Sequence, residues 1–323
     1  MERTAVIHRA RMPEHEFSQE ERERIRKRKL QKQKQRQQNR HILTKEPPTP
    51  QTKEENRKAR EAAIAAQKRH RRLQQRIKTE AEICVPVPKD YEGKTAVCFA
   101  SGPSLTKEVV EFIRPYHDAG KVVCFGLNDT YRIVPFLDEF YACDEHWWQF
   151  HLENPQEGRH VLESQPETRI WGNNTAIRTL QNHKQIHVVR GNGTRGFSED
   201  PKLIHWGSNS GSQLLNLAYL LGVSKMLLVG YNMCVPHKMG PKGHHFFGPH
   251  PKPMSQSAAY KGFVKQYHTI QGHIKKLIVN CTPDSALDCF QKGDLETEIL
   301  ASMTQTERLD VKTIRAKEIL SSD

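Results

Sequence analysis

Short apolar runs alternate with amphipathic stretches from about residue 90 onward, and this alternation limits the folds open to the chain. The stretches between the runs carry apolar residues at helical spacing, most densely over Leu214–Leu221. The runs themselves are rich in Val, Ile and Cys: Thr95–Phe99, Val122–Phe125, Phe140–Cys143, Arg169–Trp171, Ile186–Val189, Met226–Val229 and Leu277–Asn280. Apolar strands that alternate with helices are typical of a parallel sheet covered on both faces. We therefore predict a Rossmann-like α/β domain over residues 84–323, with a mostly parallel sheet.

The first 83 residues have a different composition and are predicted to form a separate basic arm. Residues 1–80 hold 24 Lys+Arg against 11 Asp+Glu, so the net charge of +13 resides there. Only ten of these 80 residues are Leu, Ile, Val or Phe, too few to form a core alone. Two helix-prone stretches, at about 19–43 and 53–82, are separated by three prolines. The arm is expected to be helical or disordered and to end at the linker Pro86–Lys89.

A basic arm of this kind has two interpretations. It can be a solvated extension, or it can bind an anionic partner such as nucleic acid or another polyanion in a salt-dependent way. Its single aromatic residue, Phe17, gives no basis for stacking on bases. The arm also lacks a clean apolar face, so we expect no binding to a membrane surface.

Several classes of protein are not expected from this sequence. The sequence contains no run of about 18 apolar residues, which is the length that a membrane-spanning helix needs. The first residues lack the apolar core of a secretion signal. The seven cysteines are odd in number and contain no Cys-x-x-Cys pair, which favours reduced thiols over disulfides or a zinc site. We therefore predict a cytoplasmic location.

The loop after the first strand is a candidate phosphate site. Ligands of open parallel sheets bind at the carboxyl ends of the strands. The sequence Ala100-Ser-Gly-Pro-Ser-Leu105 combines a glycine with a following helix start, which suits a phosphate. It matches neither the dinucleotide fingerprint nor the P-loop. The candidates are Ser101, Gly102, Pro103 and Ser104, and the alternative is an ordinary strand–helix turn.

Polar residues also follow the later strands. Asn128, Asp129 and Asp144 come after the second and third strands and suit the hydroxyls or base of a ribonucleotide, although such residues also cap helices. A second glycine-rich turn, Gly207–Ser212, precedes the Leu-rich helix and suits an anion or a ribose. Its candidate residues, with the one after the next strand, are Asn209, Ser210, Gly211 and Asn232.

A long irregular segment at about 231–257 carries four of the 17 histidines: His237, His244, His245 and His250. Loops beyond about 12–15 residues are commonly functional or disordered. A histidine over a phosphate site can act as a general base or contact the leaving phosphate. A metal site and a merely structural role remain the alternatives, and the spacing is not a standard zinc pattern.

The order of these motifs resembles the bacterial sialyltransferase fold and the related hydroxymethylpterin pyrophosphokinase-like family. The similarity covers about residues 94–290 and looks closest to a phage-encoded branch of that group. It is carried by Thr95–Leu105, Phe125–Asn128, Tyr141–Asp144, Asn209–Gly211, Leu228–Gly230, His245–Pro251 and Asn280–Leu287.

The resemblance implies roles for particular residues. The first loop, from Ser101 to Ser104, would hold the phosphate and ribose of a nucleotide. Asn128, Ser210 and Gly211 would also contact the nucleotide. His250 would be the general base, with His245 as the alternative. This sequence departs from the sialyltransferase pattern at Ser101, Asn232 and Cys234, where that family has asparagine, an acidic residue and a tyrosine.

Three functions follow as expectations. The first is a nucleotide-dependent, glycosyltransferase-like enzyme that uses a nucleotide or nucleotide sugar. The second is a pyrophosphokinase acting on a small heterocycle, which would need Mg²⁺ held by Asp129 and Asp144. The third is a non-catalytic phage virion or nucleic-acid-associated protein in which the arm does the binding.

Overall fold

The structure is a computed structural model that describes residues 19–42, 50–153, 160–163, 166–233, 245–247 and 260–304. The candidates His237, His244 and His250, together with Cys234, lie outside the described residues. The chain divides into two compact units, residues 1–73 and residues 74–323. The second unit therefore begins ten residues before the predicted domain boundary.

The first unit holds the basic helices that the composition predicts. Helix α1 spans Gln19–Ile42, and α2 begins at Pro50 and continues to Ile83 in the second unit. Their described side chains are mostly exposed, including Ile64 and Leu73. Exposed ion pairs between residues three or four apart stabilise such helices only slightly. One of these pairs joins Arg57 to Glu54 at 2.7 Å.

The described part of the second unit contains a nine-stranded sheet in which every neighbouring pair is parallel. Its order is β6-β5-β4-β3-β2-β1-β7-β8-β9. The predicted fold class is confirmed, and the sheet is parallel throughout rather than mostly so. The strands are β1 Thr95–Phe99, β2 Val123–Leu127, β3 Glu139–Tyr141, β4 Arg169–Asn173, β5 Ile186–Gly191, β6 Leu203–Ile204, β7 Lys225–Val229, β8 Ile278–Asn280 and β9 Gln291–Lys292.

Eight further α-helices belong to the described part of the second unit, and side chains on both faces of the sheet are buried. Ala96 and Cys98 of β1 point into one apolar cluster, and Val97 and Phe99 point into another. This alternation follows from the two-residue period of a strand. The helices are α3 Lys107–Asp118, α4 Glu145–Glu153, α5 His160–Glu163, α6 Ile177–Leu180, α7 Ser210–Leu220, α8 Tyr260–Tyr267, α9 Gly272–Lys275 and α10 Leu295–Ala301.

The path of the chain reverses between β1 and β7. From β1 the chain adds each following strand on one side, as far as β6. Helix α7 then leads to β7, which pairs with β1 on its other side, with Val97 opposite Leu227. A crevice opens outside the carboxyl ends of two strands whose connections leave in opposite directions. The fold therefore provides a ligand position beyond Phe99 and Val229.

Among the described residues, six cysteines are free thiols: Cys84, Cys98, Cys124, Cys143, Cys281 and Cys289. Burial raises the pKa of the half-buried Cys289 to about 11. A thiol with such a pKa is almost entirely protonated near neutral pH and is a poor nucleophile.

No helix in the described ranges combines the length and the apolar composition that crossing a membrane requires.

His117 near the end of α3 gives the domain a predicted pH dependence. Its ring nitrogens lie 3.3 Å from Asp138 and 3.2 Å from Asp118, and these carboxylates raise its pKa against the opposing effect of burial. A raised pKa in the folded state stabilises the protein below the unfolded pKa of about 6.5, and this contribution is lost as pH rises through the folded pKa.

Replacing His117 with Asn should therefore destabilise the domain more at pH 6 than at pH 8.5. The difference should stay within about 1 kcal/mol, because the side chain is 21% exposed. Urea unfolding of both proteins at the two pH values measures it. An equal effect of the substitution at both pH values would contradict the assignment.

Candidate functional site

A cleft of about 580 Å³ lies at the carboxyl edge of the sheet. This volume is within the range of small-molecule sites, which is roughly 300–1,000 Å³. Residues that follow β1, β2, β3, β4 and β7 line it, together with the turn that begins α7. The principal contributors are Ser101, Gly102, Asn128, Asp144, Glu145, Asn173, Thr175, Trp206, Asn209, Ser210, Gly211, Gln213, Gly230, Met233 and His245.

The loops after β1 and β7 are in direct contact at the reversal point. The N–H of Gly102 donates a hydrogen bond of 2.9 Å to the carbonyl of Gly230. A Cβ atom on Gly102 would collide with that carbonyl oxygen and with the side chain of Asn232. Gly230 has a φ of 77°, and a Cβ atom on it would collide with the carbonyl oxygen of Ala100. Both glycines are therefore required by close approach of the backbone.

Four buried polar atoms of the cleft residues have no hydrogen-bond partner in the part of the chain that the structure describes. They are Ser101 Oγ, Asn128 Oδ1, Glu145 Oε2 and Trp206 Nε1. Buried polar groups are nearly always paired, because leaving one unpaired costs about 1–3 kcal/mol. The concentration of such atoms around one cleft makes this cleft the candidate site for a polar ligand.

The backbone of the cleft is also unusual. Four non-glycine residues in the described ranges have positive φ, and three of them line the cleft. These are Asn128 with φ 49°, Ser208 with φ 62° and Met233 with φ 48°. Left-handed conformations of this kind cluster at ligand sites, where the surrounding structure maintains them.

The first turn of α7 faces the cleft. Asn209 caps this helix, accepting a hydrogen bond of 2.8 Å from the Ser212 N–H, and Tyr267 holds the same oxygen at 2.8 Å. The N–H groups of Ser210 and Gly211 belong to the first turn, which has no acceptor within the helix. With the positive end of the helix dipole, they suit an anion.

A polar network supports the wall behind this turn. Asn173 donates to the Tyr141 hydroxyl at 2.9 Å and to Gln213 Oε1 at 3.0 Å, and Tyr141 donates to the same oxygen. Gln213 in turn donates a hydrogen bond of 2.7 Å to the carbonyl of Trp206. Burial holds the pKa of Tyr141 well above its ordinary value, so its hydroxyl stays protonated. The network fixes the wall and leaves the indole N–H of Trp206 unpaired.

His245 is the predicted histidine that the structure brings to the cleft. The N–H of the next residue, Phe246, donates 3.0 Å to the carbonyl of Ser101, which anchors this segment to the β1 loop. The His245 ring stacks on Phe247 with the ring centres 5.0 Å apart. The arrangement holds an imidazole beside the β1 loop, where it can exchange a proton with a bound group.

Some predicted site residues lie elsewhere. Asp129 is 5% exposed, and its carboxylate is held by Arg132 at 3.0 Å and by the Trp147 indole at 3.1 Å, so it stabilises packing near α4. The Ser104 hydroxyl donates a hydrogen bond of 2.7 Å to Asn232 Oδ1, and this bond ties the loop after β1 to the loop after β7. Pro103, Ser104 and Asn232 are not among the residues that line the cleft.

Sequence reasoning did not select Glu145, Asn173, Thr175, Trp206 or Gln213. The rule that located Asn128 and Asp144 also applies to Asn173 and Thr175, which end or follow β4. Trp206 and Gln213 carry no such signal. They reach the cleft because β6 and α7 place them there.

The fold and cleft define a Rossmann-like α/β protein with a preformed cleft, lined by both apolar and polar groups, at the reversal point of its sheet. Within the described ranges, no group of three or more His, Cys, Asp or Glu side chains is placed to hold a metal ion. No protein-family model matches the chain, and no curated protein matches it.

Proposed function

We propose that the chain is a nucleotide-dependent transferase of the glycosyltransferase type and that the nucleotide binds in this cleft. The observation that carries the proposal is the set of four unpartnered polar atoms at the reversal point of a parallel sheet. The resemblance of the motifs to the sialyltransferase fold supports the same reading.

The chemistry of the cleft suits the parts of a nucleotide. The N–H groups of Ser210 and Gly211 and the hydroxyl of Ser101 would contact phosphate oxygens. Asn128 Oδ1 and Glu145 Oε2 are acceptors and would receive hydrogen bonds from hydroxyl or amino groups of the nucleoside. The described lining residues include no Lys or Arg, so backbone N–H groups would provide much of the phosphate binding.

In the proposed reaction an acceptor hydroxyl attacks the anomeric carbon of the sugar. Its oxygen forms the new glycosidic bond, and a histidine, His245 or His250, takes the proton. The bond between the anomeric carbon and the phosphate oxygen breaks, and its electron pair leaves with the phosphate. The first turn of α7 would stabilise the negative charge that develops there.

The other two expected functions have less support. A pyrophosphokinase would need carboxylates for Mg²⁺, and the Asp129 carboxylate is already engaged by Arg132 and Trp147. A nucleic-acid-associated role finds support in the exposed basic run from Lys68 to Arg72 on α2. That role is compatible with catalysis in the second unit, so we place it second.

The test is the melting temperature of the full chain with a panel of nucleotides and nucleotide sugars, each with and without Mg²⁺. A nucleotide at 100 times its dissociation constant adds about 2.7 kcal/mol, a shift of roughly 5–10 °C for a domain of this size. A shift with one nucleotide class identifies the donor. A shift only with triphosphate and Mg²⁺ favours the pyrophosphokinase, and no shift with any member counts against both enzymes.

Replacing Ser101 with Ala should separate ligand binding from folding. The Ser101 hydroxyl is buried and unpartnered, so removing it should leave the melting temperature of the free protein unchanged or slightly higher. Nucleotide affinity should fall about 5- to 20-fold, as expected for the loss of one hydrogen bond. Calorimetric titration of both proteins measures the change, and equal affinities would remove Ser101 from the site.

A further inference from the structure

We infer that Glu145 is the specificity-determining residue of the cleft and that its Oε2 accepts a hydrogen bond from an O–H or N–H group of the bound nucleoside. The inference rests on the proposed function and extends it to the part of the ligand that is recognised. Glu145 begins α4, directly after the end of β3. Glu145 lines the cleft, and its Oε2 atom is buried without a hydrogen-bond partner among the described residues.

The other carboxylate oxygen explains why the side chain is held in place. Oε1 accepts a hydrogen bond of 2.9 Å from the Thr179 hydroxyl and one of 3.2 Å from Gln149, and it lies 3.5 Å from Arg178 Nε. All three donors are on one oxygen. The protein therefore fixes the carboxylate through Oε1 and leaves Oε2 unpaired, so a ligand donor would meet an acceptor that is already oriented.

The other unpaired atoms of the residues that line the cleft restrict the class of ligand group. A carboxylate oxygen accepts hydrogen bonds and repels anions, so a phosphate would not bind against Oε2. Asn128 Oδ1 adds a second unpaired acceptor, and Trp206 Nε1 supplies one unpaired donor. The complementary group carries donors and at least one acceptor. Within a nucleotide, the ribose hydroxyls and an amino-bearing base meet this requirement.

The experiment uses calorimetric titration of the full chain with pairs of ribonucleotides that differ by one donor. Adenosine monophosphate against purine riboside monophosphate, and cytidine monophosphate against pyrimidin-2-one riboside monophosphate, test the base amine. Adenosine monophosphate against its 2′-deoxy and 3′-deoxy forms tests the ribose. We expect the donor-bearing member of one pair to bind about 10- to 100-fold more tightly, because hydrogen bonds to charged groups are the stronger ones.

Glu145→Gln should abolish that preference. Glutamine keeps an acceptor for Thr179, Gln149 and Arg178 but can present an amide N–H₂ in place of Oε2. The melting temperature should therefore stay close to that of the natural protein while the favoured pair member loses its advantage. Glu108→Gln is the matched control, since Glu108 also lies in the first turn of a helix after a strand and is exposed outside the cleft.

The outcomes separate the two proposals. A preference that disappears in Glu145→Gln and persists in Glu108→Gln supports the inference, and the discriminating pair tells whether ribose or base is read. A nucleotide that binds without any donor preference, or with a preference that survives Glu145→Gln, overturns the inference and leaves the proposed function standing. Absence of binding by every nucleotide overturns both. Should Glu145→Gln fail to fold, Glu145→Asp takes its place. The shorter side chain withdraws the carboxylate by one methylene, so the preference for the donor-bearing nucleotide should again be lost.

Discussion

Replacing Arg169 with Met should lower the free energy of unfolding by about 3–5 kcal/mol, the usual cost of breaking a buried ion pair from one side. Its partner Glu139 has a fully buried side chain. Arg169 Nε lies 2.9 Å from Glu139 Oε1, and Tyr91 and Trp171 donate to the same carboxylate. Without the guanidinium, a charge remains buried with only neutral donors.

The pH dependence of the Arg169→Met variant provides a second expected result. Burial raises the pKa of Glu139, while Arg169, Trp171 and Tyr91 pull it down. Removing Arg169 should raise that pKa further. A carboxyl group whose pKa is raised in the folded state destabilises the fold as pH rises toward that pKa, because the buried group must then ionise. The free energy of unfolding of the variant should therefore fall furthest below that of the natural protein at pH 8, and less far at pH 5.

Denaturant unfolding of three variants checks the assignment. The double variant Arg169→Met, Glu139→Gln should recover much of the loss, because the uncompensated charge is gone. Lys78→Met removes one partner of an exposed pair, with Glu82, and should cost less than about 0.5 kcal/mol. A loss below about 1 kcal/mol in Arg169→Met would mean that Glu139 is protonated or hydrated in the natural protein.

Replacing Gly102 with Ala should weaken nucleotide binding about 100-fold and lower the free energy of unfolding by about 1–3 kcal/mol. The new Cβ atom would collide with the Gly230 carbonyl and the Asn232 side chain, so the β1 loop would move away from the β7 loop. That movement displaces Ser101, whose carbonyl also anchors the Phe246 segment. The cleft would lose the relative position of its two central loops.

Gly272→Ala is the matched control for this substitution. A Cβ atom on Gly272 would meet no atom within 4 Å, and its φ is not in the left-handed region. The control should keep the nucleotide affinity and stability of the natural protein. Affinity of Gly102→Ala within threefold of the natural value would show that the contact between the two loops does not support the site.

The sequence predicted the sheet well because buried parallel strands are continuous apolar runs. Thr95–Phe99 is reproduced without change, and the other six predicted runs overlap observed strands. The two short strands at the edges, Leu203–Ile204 and Gln291–Lys292, were missed. Two residues give no measurable pattern, and the side chains of β9 are exposed, so only pairing with a neighbour defines such strands.

The candidate site was predicted in part. Ser101, Gly102, Asn128, Asp144, Asn209, Ser210 and Gly211 line the cleft, as does His245. The rule of reading residues after strands finds the edge of the sheet at which the cleft lies, because all parallel strands end there. It cannot tell which way a side chain turns, and so it included Asp129, whose carboxylate is bound by Arg132 and Trp147.

From the sequence one can predict the basic arm, the α/β class and the edge of the sheet at which the cleft lies. These follow from composition and from local periodicity, which need no knowledge of distant contacts. The tertiary structure alone decided that β7 returns beside β1, that Gly102 meets Gly230, and that Glu145 and Trp206 share one cleft. Such pairings join residues as far as 130 positions apart, as Thr95 and Lys225 are, and arise from packing of the whole sheet with its helices.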